Sequence, residues 1–303
     1  MTVRTMVAQP AEGLGADASV RPPRSPIRIA LTRLRRAPLA VGGTVVLLVI
    51  VLASIAAPLL TDYGQNEIDL FNINADPSRE HLLGTDPLGR DVLTRLLYGG
   101  RLSLLIGVSA ALLTTFLGII AGAVAGYYGG WIDSALMRFV DLMLAFPSIF
   151  LLLIIAAMLD GITVSNIILF LGFFGWMWLA RIIRGEFLSL KEREFTEAAR
   201  AIGVPSRWII VRHLLPNVVG PIIVATTLGV AQYILAEAAL SFLGFGVTPE
   251  TPTWGNMLNE ARAFYTTEPL LAIVPGVTLT ITVLAINFVG DGLRDALDPH
   301  HSR

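Results

Sequence analysis

The strongest constraint in this sequence is a set of six intervals that contain no Asp, Glu, Lys or Arg. They run from Ala37 to Thr61 (25 residues), Leu102 to Ile132 (31) and Leu142 to Leu159 (18). Three more run from Gly161 to Ala180 (20), His213 to Ala236 (24) and Pro269 to Gly290 (22). A helix rising 1.5 Å per residue needs about 20 mostly apolar residues to cross the hydrocarbon of a bilayer. All six intervals meet that length, the third only marginally. Soluble core helices keep a polar stripe, which these intervals lack. Composition points the same way: 54% of the 303 residues are apolar and 15% charged, against about 25% charged in a soluble domain. Six long apolar helices would leave too little polar chain to cover them in water. The sequence therefore predicts an all-α polytopic membrane protein with six transmembrane helices.

The remaining composition closes off several functions. No cysteine is present, which excludes disulfides, thiolate metal sites and a cysteine nucleophile. The one lysine, Lys191, cannot complete a GxxxxGK phosphate loop. A net charge of −1 argues against a nucleic-acid partner. The first apolar interval starts too late and runs too long for a cleaved signal, so it reads as a retained span. Residues 1–27, rich in Pro, Ala, Gly and Ser, read as a disordered tail. Six spans put both termini on one side. If that side is the cytoplasm, 17 Lys/Arg lie inside and five outside, the asymmetry expected of the positive-inside bias.

Between the first two spans, Asp86 is a predicted helix N-cap with Pro87 at the first helical position. Leu88, Val92, Leu93, Leu96 and Leu97 would form the apolar face of a short surface helix, with Arg90, Asp91 and Arg95 turned away. Gly118, Gly122 and Gly126 share one face of the second span and predict close helix packing. Arg138 and Asp141, three apart, are expected to pair. Pro147 should bend or interrupt the third span and is a candidate for the translocation path. Asp160-Gly161 would be a short turn joining spans three and four. Glu237, at the outer end of span five, needs a partner, a proton or water. It can line a path or brace a bend, and the glycines after it predict a broken or re-entrant end. Trp254, Met257 and Leu258 suggest a further amphipathic piece.

The segment between spans four and five is long, charged and helical in pattern. A first helix is expected over Leu188 to Ile202, with Phe195, Ala198, Ala199 and Ile202 on one side. Gly203 supplies a left-handed end, and a second helix begins at Pro205 or Ser206. It carries Trp208, Ile209, Ile210 and Leu214 up to Leu215-Pro216. His213 in that helix has no evident partner.

Glu197-Ala198-Ala199, Gly203 four residues on, and Leu215-Pro216 twelve residues after that resemble the EAA signature of bacterial ABC importer permeases. The stretch Gly84 to Asp91 (GTDPLGRD) and the stretch Glu237 to Gly246 (EAALSFLGFG) are similar to the dipeptide, oligopeptide and nickel branch. The resemblance covers residues 28 to 299 and fits the "C"-type subunit of a permease pair. His213 stands where an aliphatic residue is usual, a modest departure. The resemblance implies a type I ABC importer transmembrane fold in the bacterial inner membrane. It divides the chain into an arm and first span (28–60), an extracytoplasmic segment (61–101), a five-helix core (102–290) and a cytoplasmic tail (291–303). Residues 183–216 would be the coupling hairpin. Glu197, Ala198, Ala199, Arg200, Gly203, Leu215 and Pro216 would dock it on the ATPase.

The implied partners are a second permease subunit, two cytoplasmic ATPase subunits that use ATP and Mg²⁺, an extracytoplasmic substrate-binding protein, and lipid. The chain itself would bind no cofactor and break no covalent bond. Di- or oligopeptides are the implied cargo, with nickel chelates as the alternative. A secondary transporter or channel would need ionisable or helix-breaking sites deep in the spans, for which only Pro147, the span-five glycines and Glu237 are weak candidates; an intramembrane enzyme would need a catalytic cluster that the sequence does not offer.

Overall fold

The structure is a computed structural model that describes residues 32–35, 37–159 and 162–297. The Asp160-Gly161 turn, the 1–27 tail and the tail beyond Leu297 lie outside the described residues. Nine principal helices follow in order: α1 (Pro38–Ile55), α2 (Val92–Tyr128), α3 (Gly130–Leu144), α4 (Ser148–Ala157), α5 (Val164–Leu190), α6 (Glu194–Ala201), α7 (Leu215–Phe242), α8 (Trp254–Ala261) and α9 (Leu270–Leu297). Helices α1, α2, α5, α7 and α9 are each long and apolar enough to cross a membrane. The expected third span is different. It is interrupted at Pro147, as the proline predicts: over 142–159 the chain is not one helix, and α3 and α4 meet at 74°. The ring of Pro147 cannot donate to the preceding turn and pushes the residue before it out of helical geometry. With only 10 residues, α4 reaches about 15 Å, half a hydrocarbon layer, so a sixth crossing needs both pieces.

Helix α2 holds the bundle together. Its glycine face lies against α5 as the fours-spacing predicts. A Cβ at Gly122 would stand 2.6 Å from the Ala180 carbonyl, and one at Gly126 2.6 Å from the Phe187 Cβ. Only glycine lets the two backbones come this close. Helix α7 packs on α2 and α9, and α9 closes on α1. Much of the outward surface of α1 is bare aliphatic side chain, including Leu48, Val49 and Leu52, suited to lipid rather than water.

The expected short helix starting at Asp86 is absent. Asp86-Pro87-Leu88-Gly89 is a tight turn in which the Gly89 amide donates to the Asp86 carbonyl (2.8 Å) and the Asp86 amide to the Arg90 carbonyl (2.9 Å). Gly89 has φ +76°, and any side chain there would run into the Asp69 carbonyl. The helix begins later, at Val92, where the Asp91 carboxylate accepts from the Thr94 amide (2.7 Å) and hydroxyl (2.8 Å). From there it runs 37 residues without a break into the second span.

At the opposite end the expected Leu188–Ile202 helix is divided. Helix α5 ends at Leu190, and α6 starts at Glu194. Thr196, fully buried, donates its hydroxyl to the Leu190 carbonyl (2.9 Å) and so pins the turn. Gly203 has the left-handed φ of +79° expected of it, and the Val204 amide closes back on the Ala199 carbonyl at 3.0 Å. The chain then re-enters helix at Ser206, passes through a π segment (Ile209–Leu214) and continues directly into α7. Pro216 offers no N–H to the Arg212 carbonyl and crowds it; the wider turn accommodates this.

Candidate functional site

The hairpin formed by α6 and the start of the Ser206 helix has two unlike faces. Its inner face is Thr196 and Ala199, buried against a cluster that includes Phe187, Ile209 and Leu214. Its outer face carries apolar groups that no described residue covers: Ile202 is 81% exposed, Val211 60% and Trp208 46%. Phe195 and Ala198 are on the exposed side as well, among Glu197, Arg200 and Gly203. The two alanines of the signature therefore do different things. Ala198 is free at the surface, whereas Ala199 lets the hairpin approach its own bundle. Arg200 extends over the ring of Tyr127 (5.5 Å), tying the hairpin to the end of α2. Leu215 is half-buried and Pro216 exposed, and the His213 carbonyl accepts from the Asn217 side chain (2.6 Å).

Beneath the hairpin two ion pairs cross from α3 to α5. Arg184 grips Asp133 with Nε (2.5 Å) and Nη2 (2.6 Å), and Arg181 reaches Asp141 at 2.5 Å. Asp141 thus pairs across helices with Arg181, where the spacing predicted Arg138 on its own helix.

A cavity of about 900 Å³ lies between α2, α4, α5 and α7 and extends to the end of α9 at Arg294. Most of its wall is apolar, but hydroxyls are set into it. Thr114 Oγ1 lies 2.9 Å from Tyr233 Oη and 3.2 Å from the Gly172 carbonyl, and Thr115 Oγ1 lies 2.7 Å from Thr226 Oγ1. Leu144, Ser148 and Ile149, which flank the break at Pro147, line it.

Glu237 is not among the lining residues. It is fully buried at the far end of α7, where Oε1 accepts from the Ser241 hydroxyl (2.7 Å) and Oε2 from the Ser103 hydroxyl (3.2 Å). Ser103 in turn accepts from the Trp254 amide (3.2 Å), so one carboxylate ties α2, α7 and the start of α8. The helix ends where the glycines follow it: α7 continues past Glu237 to Phe242 and turns at Gly244 (φ +87°), with the Phe245 amide on the Leu240 carbonyl at 2.9 Å.

Arg90, Asp91 and Arg95, expected to turn toward solvent, are buried. Arg90 Nε donates to Asp86 Oδ2 (2.6 Å) and its Nη2 to Glu260 Oε2 (2.7 Å). Arg95 Nη2 bonds both Glu260 oxygens at 3.1 Å. Asp91 Oδ2 meets His81 Nδ1 at 3.0 Å, and Tyr63 stacks on the His81 ring. The arrangement tolerates burial because each guanidinium keeps a carboxylate partner.

Residues 115–303 match the family of binding-protein-dependent transport system inner membrane components, and residues 25–77 match the N-terminal transmembrane domain of oligopeptide transport permease C. The chain belongs to this permease family. A dipeptide transport system permease of Alkalihalophilus pseudofirmus is 43% identical over 275 residues, 91% of this chain and 90% of that one. A putative peptide permease of Brucella suis is 44% identical over 262 residues (86% of each), and a glutathione transport system permease of Escherichia coli is 40% identical over 277 (91% of each). The permease is accordingly a multi-pass membrane component of an ABC importer with the type I transmembrane fold, and is not itself the catalytic subunit.

Two groupings in this permease escape a reading of the sequence. Glu260 lies 165 and 170 positions from the arginines it holds, and no local pattern links them. Gln232 stands on the cavity wall. Its signal was available: with Asn217, near the start, it is one of two amide side chains in the span-five interval, but a search for charges passes over it. Among the described residues no cluster of three or more His, Asp or Glu side chains could hold a metal ion.

Proposed function

We propose that this permease forms half of a translocation path for di- or oligopeptides in the bacterial inner membrane. It pairs with a second, homologous permease, two cytoplasmic ATPases that consume ATP with Mg²⁺, and an extracytoplasmic substrate-binding protein. The hairpin end, and with it both termini, faces the cytoplasm, which agrees with the excess of Lys and Arg there. The cargoes in the names of the three relatives are all peptides, which favours peptides over nickel chelates.

The observation that carries the coupling assignment is the bare apolar face of the hairpin. Large apolar groups at a polar end, away from lipid, mark a surface that another protein covers. Phe195, Ala198, Ile202 and Trp208 supply contact area, and Glu197 and Arg200 can make charge pairs at its rim. Gly203 sets the turn between the two arms, Ala199 seats the hairpin on the bundle, and Leu215-Pro216 joins it to α7. The ~900 Å³ cavity is this chain's share of the path, with the break at Pro147 shaping its wall. Glu237 acts as a brace between helices, since its buried carboxylate accepts from the Ser103 and Ser241 hydroxyls and does not line the cavity.

In the full transporter, Ile202→Ser with Trp208→Ser should reduce recovery of ATPase with the permease pair at least tenfold. Gly203→Val forces a β-branched residue into the left-handed region, at a cost of about 1–2 kcal/mol. It should lower ATP-driven uptake while the permease pair still assembles. Normal ATPase recovery from the double variant, with uptake intact in both, would overturn the assignment.

A further inference from the structure

The geometry points to Gln232 as the permease's contact with the backbone amide of a peptide in transit, an inference that rests on the peptide-import reading above. Helix α7 turns one face to the cavity, carrying Pro221, Ala225, Leu228, Gly229 and Ala236; at 100° per residue Gln232 falls near the centre of that face. It sits ten residues, about 15 Å of helical rise, before the helix ends at Phe242, and within the charge-free interval His213–Ala236. Its neighbours' polar groups are occupied: Tyr233 by Thr114, and Thr226 by Thr115. Gln232 is exposed and, among the described residues, has no hydrogen-bond partner. An unpaired amide is too costly to leave against lipid there, so the position demands water or a polar visitor. A carboxamide presents one acceptor and two donors, the complement of a peptide bond, which it can pair with at both C=O and N–H. Being neutral, it serves any peptide whatever its side chains, and it does not hold cargo as a charge would.

The test uses the complete transporter, its partners made cysteine-free, reconstituted with its binding protein. Uptake is compared for a dipeptide and for the matching analogue in which an ester replaces the peptide bond, removing the N–H donor. The binding protein's own preference is common to every variant, so only the change in the dipeptide-to-ester ratio is read. Losing one uncharged hydrogen bond should make that ratio about three- to tenfold smaller in Gln232→Leu than in wild type, with Gln232→Asn in between and stimulated ATP hydrolysis retained. An unchanged ratio with uptake intact overturns the contact, as does a Gln232→Leu transporter that fails to assemble alongside a Gln232→Asn form with the wild-type ratio. Absence of uptake of both the dipeptide and longer oligopeptides in wild type overturns the peptide reading, and this inference with it.

A second measurement is independent of cargo. Because the chain has no cysteine, Gln232→Cys can be probed with a charged methanethiosulfonate. It should react at least tenfold faster than Leu235→Cys, which is exposed on α7 but away from the cavity. Equal, slow labelling would show that lipid or the second permease covers Gln232, and would refute the inference.

Discussion

Replacing Glu260 with Gln removes the one carboxylate that α8 contributes to the buried pair of arginines. In the native arrangement two guanidiniums face two carboxylates. Arg90 would keep Asp86 at 2.6 Å, but Arg95 would retain only a 3.8 Å contact with the same group. Arg95 has a side chain 2% exposed and an Nη1 already without a hydrogen-bond partner among the described residues, so it has nowhere else to turn. Breaking a buried ion pair from one side costs about 3–5 kcal/mol. The low end, about 3 kcal/mol, applies because the Glu260 side chain is 29% exposed and water can reach it. Adding Arg95→Leu removes the stranded charge, so the double variant should recover at least about 1.5 kcal/mol of the loss. Reversible unfolding by SDS in mixed lipid–detergent micelles measures both. A single variant within about 1 kcal/mol of wild type, or a double variant less stable than the single, would refute the account of this cluster.

Gly122→Ala should destabilise the permease by about 1–3 kcal/mol through overpacking against Ala180 and Ile183. Gly185→Ala on α5, with nothing within 4 Å of its added Cβ, should be neutral or gain up to about 1 kcal/mol; the same unfolding assay separates the two. Glu237→Leu strands the hydroxyls of Ser103 and Ser241 and should cost about 1–3 kcal/mol. Glu237→Gln, which keeps an acceptor for them, should cost less, and the reverse order would show that the carboxylate is not a brace.

The spans were legible because apolarity is a local property: a run such as Pro269–Gly290 must cross lipid whatever surrounds it. The glycine face of α2 was legible for the same reason, since Gly118, Gly122 and Gly126 share a face by spacing alone. Pro147 announced an interruption but not its 74° size, which depends on how α3 and α4 pack against α5. The arginines at 90 and 95 were misread because an amphipathic pattern assigns every charge to water, whereas Glu260 made burial tolerable from far along the chain. Ala198 and Ala199 looked equivalent in sequence; the buried Thr196 and the start of α6 decide which one turns inward.

The helix from Ser206 to Phe242 is 37 residues of nearly unbroken backbone hydrogen bonding. It begins at the tip of the hairpin and ends beside the start of α8 at Trp254. Trp208 and Gln232 are 24 residues apart on this one rod, about 36 Å by helical rise. A displacement applied at one reaches the other with no loop between them to absorb it. The π segment with Pro216 after it, and Pro221, are its points of compliance, so under the proposed coupling their stiffness would set the stroke delivered to the cavity wall.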